Sequence, residues 1–450
     1  MALTGIDIFK KLPKTNCREC GVPTCLAFAM KLAAGQAELS ACPYVSEQAK
    51  AELNEASAPP IRPLAIGVGD GALKIGGETV MFRHEKRFVN PTGIAVLISD
   101  KMSDGEMEER LKKFQELQYE RVGLTLRADL VALKGETGDP VKFEALVKKA
   151  REKLDGRGVI LMSEDPQVLR AGAKAIADRK PLLYAATKGN ATALAELAKE
   201  ISSPLAVKGS NVDELVALTN QLTAAGVKDL VLDSGARTPR KALEDQIIIR
   251  RAALVQKSRP LGFPTITFPC EMTQDPMKET LLASMLIAKY GGIVVLSDLE
   301  GHSLFPLLLE RMNIFSDPQR PMATAEGIYE IGGPNENSPV LLTANFSLTY
   351  FIVSGEIEGS RIPSWLLVKD TEGLSVMTAW AAGKFGAELL APFIKKCGIA
   401  DKVKHRKLII PGYAAVISGD LEEELPDWQI LIGPREIGHI PAYLKMWKPE

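Results

Sequence analysis

The chain has 450 residues, 46% hydrophobic and 25% charged, values ordinary for a globular protein and too long for one hydrophobic core, so two or three domains are expected. Lys and Arg number 55 against 56 Asp and Glu, a net charge of -1, and that balance argues against a nucleic-acid or anionic-membrane surface as its main business. No run of about 18 apolar residues is present to span a membrane, the N-terminal MALTGIDIFKKLPK carries no stretch of signal-peptide length, and its six cysteines are therefore expected in a reducing cytoplasm.

Residues 1–57 read as a small unit. IDIFKKL offers a helical turn or two, CLAFAMKLAAG (25–35) has helical period and closes on Gly35, and SEQAKAELNEA (46–56) reads as a short polar helix. Such a unit is too small to hold a core by itself, and a metal or cluster would serve as its staple. Residues 58–65, within SAPPIRPLA, read as a proline-rich linker.

From 66 to 318 short apolar runs alternate with amphipathic helical windows. The runs are IAVLIS (94–99), ADLVALK (128–134), GVILMSE (158–164), PLLYAAT (181–187), PLAVKG (204–209), DLVLDSG (229–235), FPTITFP (263–269) and GIVVLSD (292–298). Between them lie windows such as GEMEERLKKFQEL (105–117) and KFEALVKKAREKL (142–154). Continuous apolar strands joined by helices predict a parallel sheet buried on both faces. Eight such units predict a TIM (β/α)8 barrel, with a large doubly wound sheet as the alternative.

Residues 319–338, rich in Pro, Gly and Asn, read as a second linker. Beyond them, 339–450 carries four more strand patterns: PVLLTA (339–344), SWLLVKD (364–370), KLIIPG (407–412) and WQILIG (428–433). Each precedes a helical window, the clearest being 376–396 and 413–425. The pattern predicts a Rossmann-like or flavodoxin-like α/β domain.

Four cysteines, Cys17, Cys20, Cys25 and Cys42, stand as C-x2-C-x4-C-x16-C, and Pro43 follows the last. Structural zinc sites usually come as two C-x2-C knuckles. Here the second pair is missing, and the staggered triplet with a distant Cys-Pro suits a [4Fe-4S] cubane, whose corners need thiolates from different directions. Zinc stays open as the other reading. Cys270 and Cys397 stand alone and read as small buried hydrophobes.

Ligands of open parallel sheets lie outside the C-terminal strand ends. The loops there read TANFSLT (343–349), DTEGLS (370–375), PGYA (411–414) and GPRE (433–436), with no G-x-G-x-x-G and no P-loop. Small residues and hydroxyls suit a large flat ligand, a flavin or a corrinoid. The cobalt-ligating pattern D-x-H-x-x-G is absent, and His405 and His439 read as solvated or packing residues. Asp100, Glu164, Lys208, Asp233 and Asp298 end barrel strands, but no catalytic constellation emerges. They read as caps and solvated loops on a scaffold.

The stretches CRECGVPTCLAFA (17–29) with CP (42–43), the eightfold βα region, TANFSLTYF (343–351) and DTEGLSV-x-TAWAAGKF (370–385) resemble the large (gamma) subunit of the corrinoid iron–sulfur protein of the reductive acetyl-CoA (Wood–Ljungdahl) pathway. The resemblance covers the whole chain in the same domain order. It implies a [4Fe-4S] cluster on Cys17, Cys20, Cys25 and Cys42, a TIM barrel, and a C-terminal domain binding a B12-type cobamide. It implies corrin contacts at Thr343, Thr349, Gly373, Leu374, Ser375 and Val376; Gly433 is added by its place at a strand end. The implied function is a methyl carrier rather than a stand-alone catalyst. It would take a methyl group from methyltetrahydrofolate on Co(I), through a methyltransferase, and give it from methyl-Co(III) to acetyl-CoA synthase. The cluster would reactivate Co(II), fed by a low-potential electron donor or reductive activator, and a small corrinoid iron–sulfur subunit would complete a heterodimer. Two other classes compete: an iron–sulfur electron-transfer subunit with a flavin-binding or empty C-terminal domain, and a barrel enzyme with a zinc-stapled N-terminus.

Overall fold

Each of the eight apolar runs forms a strand in the computed structural model, which describes residues 4–33, 36–46, 48–50, 53, 59–121 and 123–449. The chain divides into two units. One takes residues up to Met81, Val89–Gln115 and Asp129–Leu307; the other takes Phe82–Phe88, Glu116–Ala128 and the chain from Leu308 onward. No described helix is long and apolar enough to cross a membrane.

In the first unit the strands are β1 (Gly93–Ser99), β2 (Leu130–Lys134), β3 (Gly158–Met162), β4 (Leu182–Ala186), β5 (Leu205–Lys208), β6 (Leu230–Asp233), β7 (Ile266–Thr267) and β8 (Ile293–Leu296). They pair in parallel with their neighbours in chain order, and β8 returns to β1. Leu232 bridges to Thr265 beside β7, and its N–H donates to the Pro264 carbonyl at 2.8 Å. The sheet is thus a near-closed eight-stranded parallel barrel, not an open doubly wound sheet. Its interior is filled by side chains such as Leu130, Ile160, Leu182, Val231 and Ile293. A hairpin of Leu64–Ile66 and Leu73–Ile75 adds Leu64, Ile66 and Ile75 to the same core. The helices start where chemistry says they should. Pro140, Pro166 and Pro276 each open a helix, and Asp139, Asp165 and Asp275 before them accept N–H bonds from its first turn.

The N-terminal residues form helices Gly5–Lys11 and Cys25–Ala33. Contrary to the sequence expectation, they have a small core of their own. Ile8, Leu12, Val22, Phe28, Ala29, Val45 and Leu53 pack with Cys25 and Cys42. Gly35, the expected helix cap, and residues 47, 51, 52 and 54–56 of the expected third helix lie outside the described residues.

The second unit is built on β9 (Gly327–Ile331), β10 (Val340–Ala344), β11 (Ser364–Lys369), β12 (Lys407–Ile410) and β13 (Gln429–Ile432). Their order is β9-β11-β10-β12-β13; β9 is antiparallel and the other four are parallel. The chain runs outward to β11 on one side of β10 and to β12 on the other, so a topological switch point lies between β10 and β12. Both faces are buried. Leu342, Leu367 and Leu408 face one core, while their neighbours Leu341, Leu366 and Ile409 face the other with Val353, Ile357 and Ile440. This alternation explains why the strands read as unbroken apolar runs.

Three differences from the expected bounds stand out. Residues 319–338 are not all linker, because β9 lies within them and pairs with β11. The single helical window 376–396 splits into Val376–Ala381 and Ala387–Lys396, and Gly383 between them is left-handed, φ 70°. Two segments expected in the barrel, Phe82–Phe88 and Glu116–Ala128, belong to the second unit. The latter is largely a hairpin of Gln118–Arg121 and Leu124–Arg127. Arg121 lies 4.8 Å from the Phe351 ring centroid, and Arg311 donates to the Arg127 carbonyl at 3.1 Å.

Candidate functional site

At the C-terminal ends of β10, β12 and β13 the second unit holds a cavity of about 400 Å³. Its floor is apolar, from Leu341, Leu342, Val353, Ile409 and Ile410, and its mouth takes residues from the loops after each strand. Of the seven corrin-contact residues expected from sequence, Thr343, Thr349, Ser375, Val376 and Gly433 line this one cavity. Gly373 and Leu374 do not. Leu374 packs against the adjoining core. Gly373 is left-handed, φ 75°, and a Cβ there would stand 3.0 Å from the Pro321 carbonyl oxygen. Glycine is needed at that turn whatever the cavity binds.

Tyr413, Arg435 and Glu436, from the expected loops 411–414 and 433–436 but not singled out there, also line the cavity, and sequence reasoning missed Ile437, Gly438 and Ile440 beyond them. The Tyr413 hydroxyl donates to Glu436 at 3.0 Å, joining two neighbouring loops. Gly412 and Gly433 let those loops approach: a Cβ on Gly412 would lie 2.5 Å from the Gly433 carbonyl oxygen. The small residues at these strand ends thus serve backbone packing as well as the cavity.

Four hydroxyls among the described residues, those of Ser203, Thr324, Thr343 and Ser347, are buried without a partner, and two of them belong to the 343–351 motif. Thr343 is 1% exposed and Ser347 3%, yet Thr343 Oγ1 and Ser347 Oγ have no hydrogen-bond partner among the described residues. A buried hydroxyl left so costs roughly 1–3 kcal/mol, and Thr343 is on the cavity wall. Of the cavity's lining residues, Met377 and Tyr413 are exposed, and Leu348, Val416 and Ile432, exposed too, are near lining residues in sequence. The cavity thus has an apolar floor and a buried, unpartnered hydroxyl on a wall residue, Thr343.

The histidines stand apart from this. His405 precedes β12, at the opposite end of the strand from the cavity. Its Nε2 lies 2.8 Å from the Ser338 carbonyl oxygen, its Nδ1 accepts the Lys407 N–H at 3.2 Å, and its ring meets Trp447 edge-on. Burial lowers its pKa. His439 lies between two lining residues but is not one itself.

In the N-terminal residues Cys25 and Cys42 are buried and Cys20 packs at the edge of the same core. The Asn16 N–H points to Cys25 Sγ at 3.4 Å, and Asn16 Oδ1 accepts the Cys25 N–H at 2.8 Å. Lys14, Asn16, Arg18 and Gly21 are all left-handed, so the loop is bent around this pair of contacts. The Tyr44 hydroxyl donates to Glu19 at 2.7 Å. That bond and the Glu19 charge raise its pKa, with smaller contributions from burial and from Cys17 and Cys42. Four thiols, with an N–H directed at one sulfur, are donors of the kind a thiolate-bound cluster uses. Among the described residues no three of His, Cys, Asp and Glu stand in metal-holding geometry. The other cysteines lie elsewhere. Burial, then Glu271 and Glu279, pushes the Cys270 thiol up to about 12, and burial raises that of Cys397.

The barrel strands hold a buried polar network around Asp233. Tyr184 donates to Asp233 at 2.6 Å, and Arg237 grips the same carboxylate at 2.8 and 3.1 Å while lying 4.6 Å over the Phe268 ring. Burial opposes the Arg237 charge, but the bond and ion pair to Asp233 outweigh it and raise its pKa. Burial, then the Asp233 charge, pushes the Tyr184 phenol well above its ordinary range. The other strand-end residues follow the bland expectation. Asp100 caps the Glu136 and Thr137 N–H groups, Lys208 pairs with Glu164 at 2.6 Å, and Lys113 pairs with Asp298 at 3.0 Å.

Residues 63–444 match the family described as "CO dehydrogenase/acetyl-CoA synthase delta subunit", and residues 12–44 match "Putative Fe-S cluster". The chain is 45% identical over 445 residues to the corrinoid/iron-sulfur protein large subunit of Moorella thermoacetica, covering 99% of each. It is 38% identical over 453 residues to the acetyl-CoA decarbonylase/synthase complex subunit gamma of Methanopyrus kandleri, covering 98% of this chain and 97% of that one.

Proposed function

This chain belongs to the family of the corrinoid/iron–sulfur protein large subunit and the acetyl-CoA decarbonylase/synthase gamma subunits, and on that premise we propose that it is a methyl carrier. It accepts a methyl group that a methyltransferase takes from methyltetrahydrofolate, and it hands that group to acetyl-CoA synthase. A bound corrinoid supplies the chemistry, a cobalt that is strongly nucleophilic when reduced.

The chain's own residues hold and shape the site. Thr343 contributes a buried hydroxyl that has no hydrogen-bond partner among the described residues. Thr349, Ser375, Val376 and Gly433 form the wall, while Gly373 and Leu374 shape the turn behind it. The exposed Met377 and Tyr413 among the lining residues suit a flat macrocycle and a covering partner, which we take to be the small corrinoid iron–sulfur subunit. Neither His405 nor His439 lines the cavity. Cys17, Cys20, Cys25 and Cys42 would hold a [4Fe-4S] cluster. Its low potential fits reductive repair of oxidised cobalt, with electrons from a reductive activator.

One observation carries the reading. Residues from two separate motifs, 343–351 and 370–385, together with Gly433, wall one cavity, and the Thr343 hydroxyl on that wall has no partner among the described residues. Metal analysis and the visible spectrum of the purified protein test it. About one cobalt and four iron per chain, with corrin bands over a broad iron–sulfur shoulder, are expected. Flavin bands, or zinc in place of iron and no cobalt, would turn the assignment to the electron-transfer subunit or the barrel enzyme.

A further inference from the structure

The two C-terminal motifs, 343–351 and 370–385, meet at one buried side chain. Asn345 follows β10, is 3% exposed, and does not itself line the cavity. Its Oδ1 accepts the N–H of Thr371 at 3.0 Å and that of Gly373 at 2.9 Å. Its Nδ2 donates to Asp370 Oδ1 at 2.8 Å, and the same carboxylate oxygen takes the Glu372 N–H at 2.9 Å. The Thr371 hydroxyl has one proton and two acceptors in reach, Asn345 Oδ1 at 2.9 Å and the Leu374 carbonyl at 2.8 Å. Asn345 is anchored on its own side as well, since its carbonyl accepts the Thr324 N–H at 2.8 Å.

The turn so gripped is one the backbone does not favour. Glu372 and Gly373 are left-handed in succession, at φ 56° and 75°, and for the glutamate that conformation is costly. The chemistry of the grip also selects the side chain. Two backbone N–H groups need an acceptor and a carboxylate needs a donor, and only a carboxamide of this length offers both. Aspartate cannot donate, and leucine can do neither. The turn ends at Ser375 and Val376, which do line the cavity, and there the helix Val376–Ala381 begins.

We infer that Asn345 is the positioning residue of this site: by holding the turn 370–374 it sets where Ser375 and Val376 stand on the cavity wall. The two motifs then act as one device, the first supplying the grip and the second the wall. The inference rests on the corrinoid reading above, and its test separates the two.

Full-length wild type, Asn345→Asp and the double variant Asn345→Asp/Asp370→Asn are titrated with hydroxocobalamin by equilibrium dialysis. Amide hydrogen exchange is followed across residues 371–376 and across the barrel strands. Asn345→Asp keeps the volume and the acceptor but removes the donor and sets two carboxylates together. It should weaken binding about tenfold or more and speed exchange at 371–376 while barrel amides stay unchanged. Adding Asp370→Asn restores a donor–acceptor pair and should recover part of the affinity and of the protection, which general destabilisation would not do. Wild-type affinity in Asn345→Asp, or a double variant no better than the single one, overturns the positioning role alone. Wild type that takes up no cobalamin overturns the corrinoid reading, and this inference with it.

Discussion

Replacing Thr343 by valine swaps a hydroxyl for a methyl of similar shape, and the expected effect changes sign between the free and the loaded protein. The side chain is 1% exposed and its Oγ1 has no partner among the described residues. Leaving a buried hydroxyl unsatisfied costs roughly 1–3 kcal/mol. β10 is a central strand of the sheet, where valine is well accommodated. The ligand-free T343V protein should therefore be more stable than wild type by about 1 kcal/mol, the low end of that range. With cobalamin bound, the wild-type hydroxyl gains a partner worth about 1 kcal/mol that the valine cannot provide, so affinity should fall about fivefold. Urea unfolding of the free protein and equilibrium dialysis against hydroxocobalamin measure the two effects separately. A variant that is less stable when free, or that binds cobalamin as tightly as wild type, refutes the assignment of Thr343 to a ligand.

Other outcomes follow from the same structure. Cys20→Ala should still pass methyl groups when the protein is reduced chemically beforehand, yet fail to recover after oxidation; loss of transfer from the pre-reduced protein would show that the cluster takes part in every turnover. Asp233→Asn keeps the shape at the barrel mouth but removes the main counter-charge of Arg237. Because Glu271 remains as a partner, a stability loss of about 3 kcal/mol, the low end for a broken buried pair, is expected in chemical denaturation, and an unchanged midpoint would contradict it. The buried His405 ring has a folded pKa below its ordinary 6.5, so the unfolded chain takes the proton first. Stability is then complete above about pH 6.5 and falls as pH drops toward the lower folded value. A His405→Gln variant should lack that component of the acid dependence, and an identical pH profile of denaturation midpoints in both proteins would count against the buried neutral ring.

The barrel was readable in the sequence because strands buried on both faces need no polar alternation. IVVL at Ile293–Leu296 and GVILM at Gly158–Met162 are apolar throughout. The Asp-Pro pairs at 139–140, 165–166 and 275–276, which open three helices, were local signals the sequence reading did not use. What was not readable came from partners distant in the chain. β9 has only partly buried residues and a glutamate, so nothing in GIYEI distinguishes an edge strand from the linker around it. Tyr184 meets Asp233 across 49 positions, a pairing that spacing along the chain does not betray. Gly383 and Gly386 both sat inside the helical pattern 376–396, and nothing in that spacing singled out Gly383 as the left-handed residue at which the helix breaks. Within the candidate site, threonines and a serine could be named as wall residues. The role of Asn345 could not, because a polar residue in a loop carries no sign of what its carboxamide grips.

The interleaving of the two units along the chain has a consequence for how the gene can be cut. A boundary chosen at Leu308 does not release a complete second unit, because Phe82–Phe88 and Glu116–Ala128 are encoded upstream. Residues 308–450 made alone would lack the Arg121 guanidinium that lies over Phe351 and the Arg127 carbonyl that receives Arg311. The cavity-bearing sheet is therefore not a cassette that one recombination event could move intact into another protein. Any lineage that inherits its full packing must inherit stretches of the barrel's coding sequence along with it.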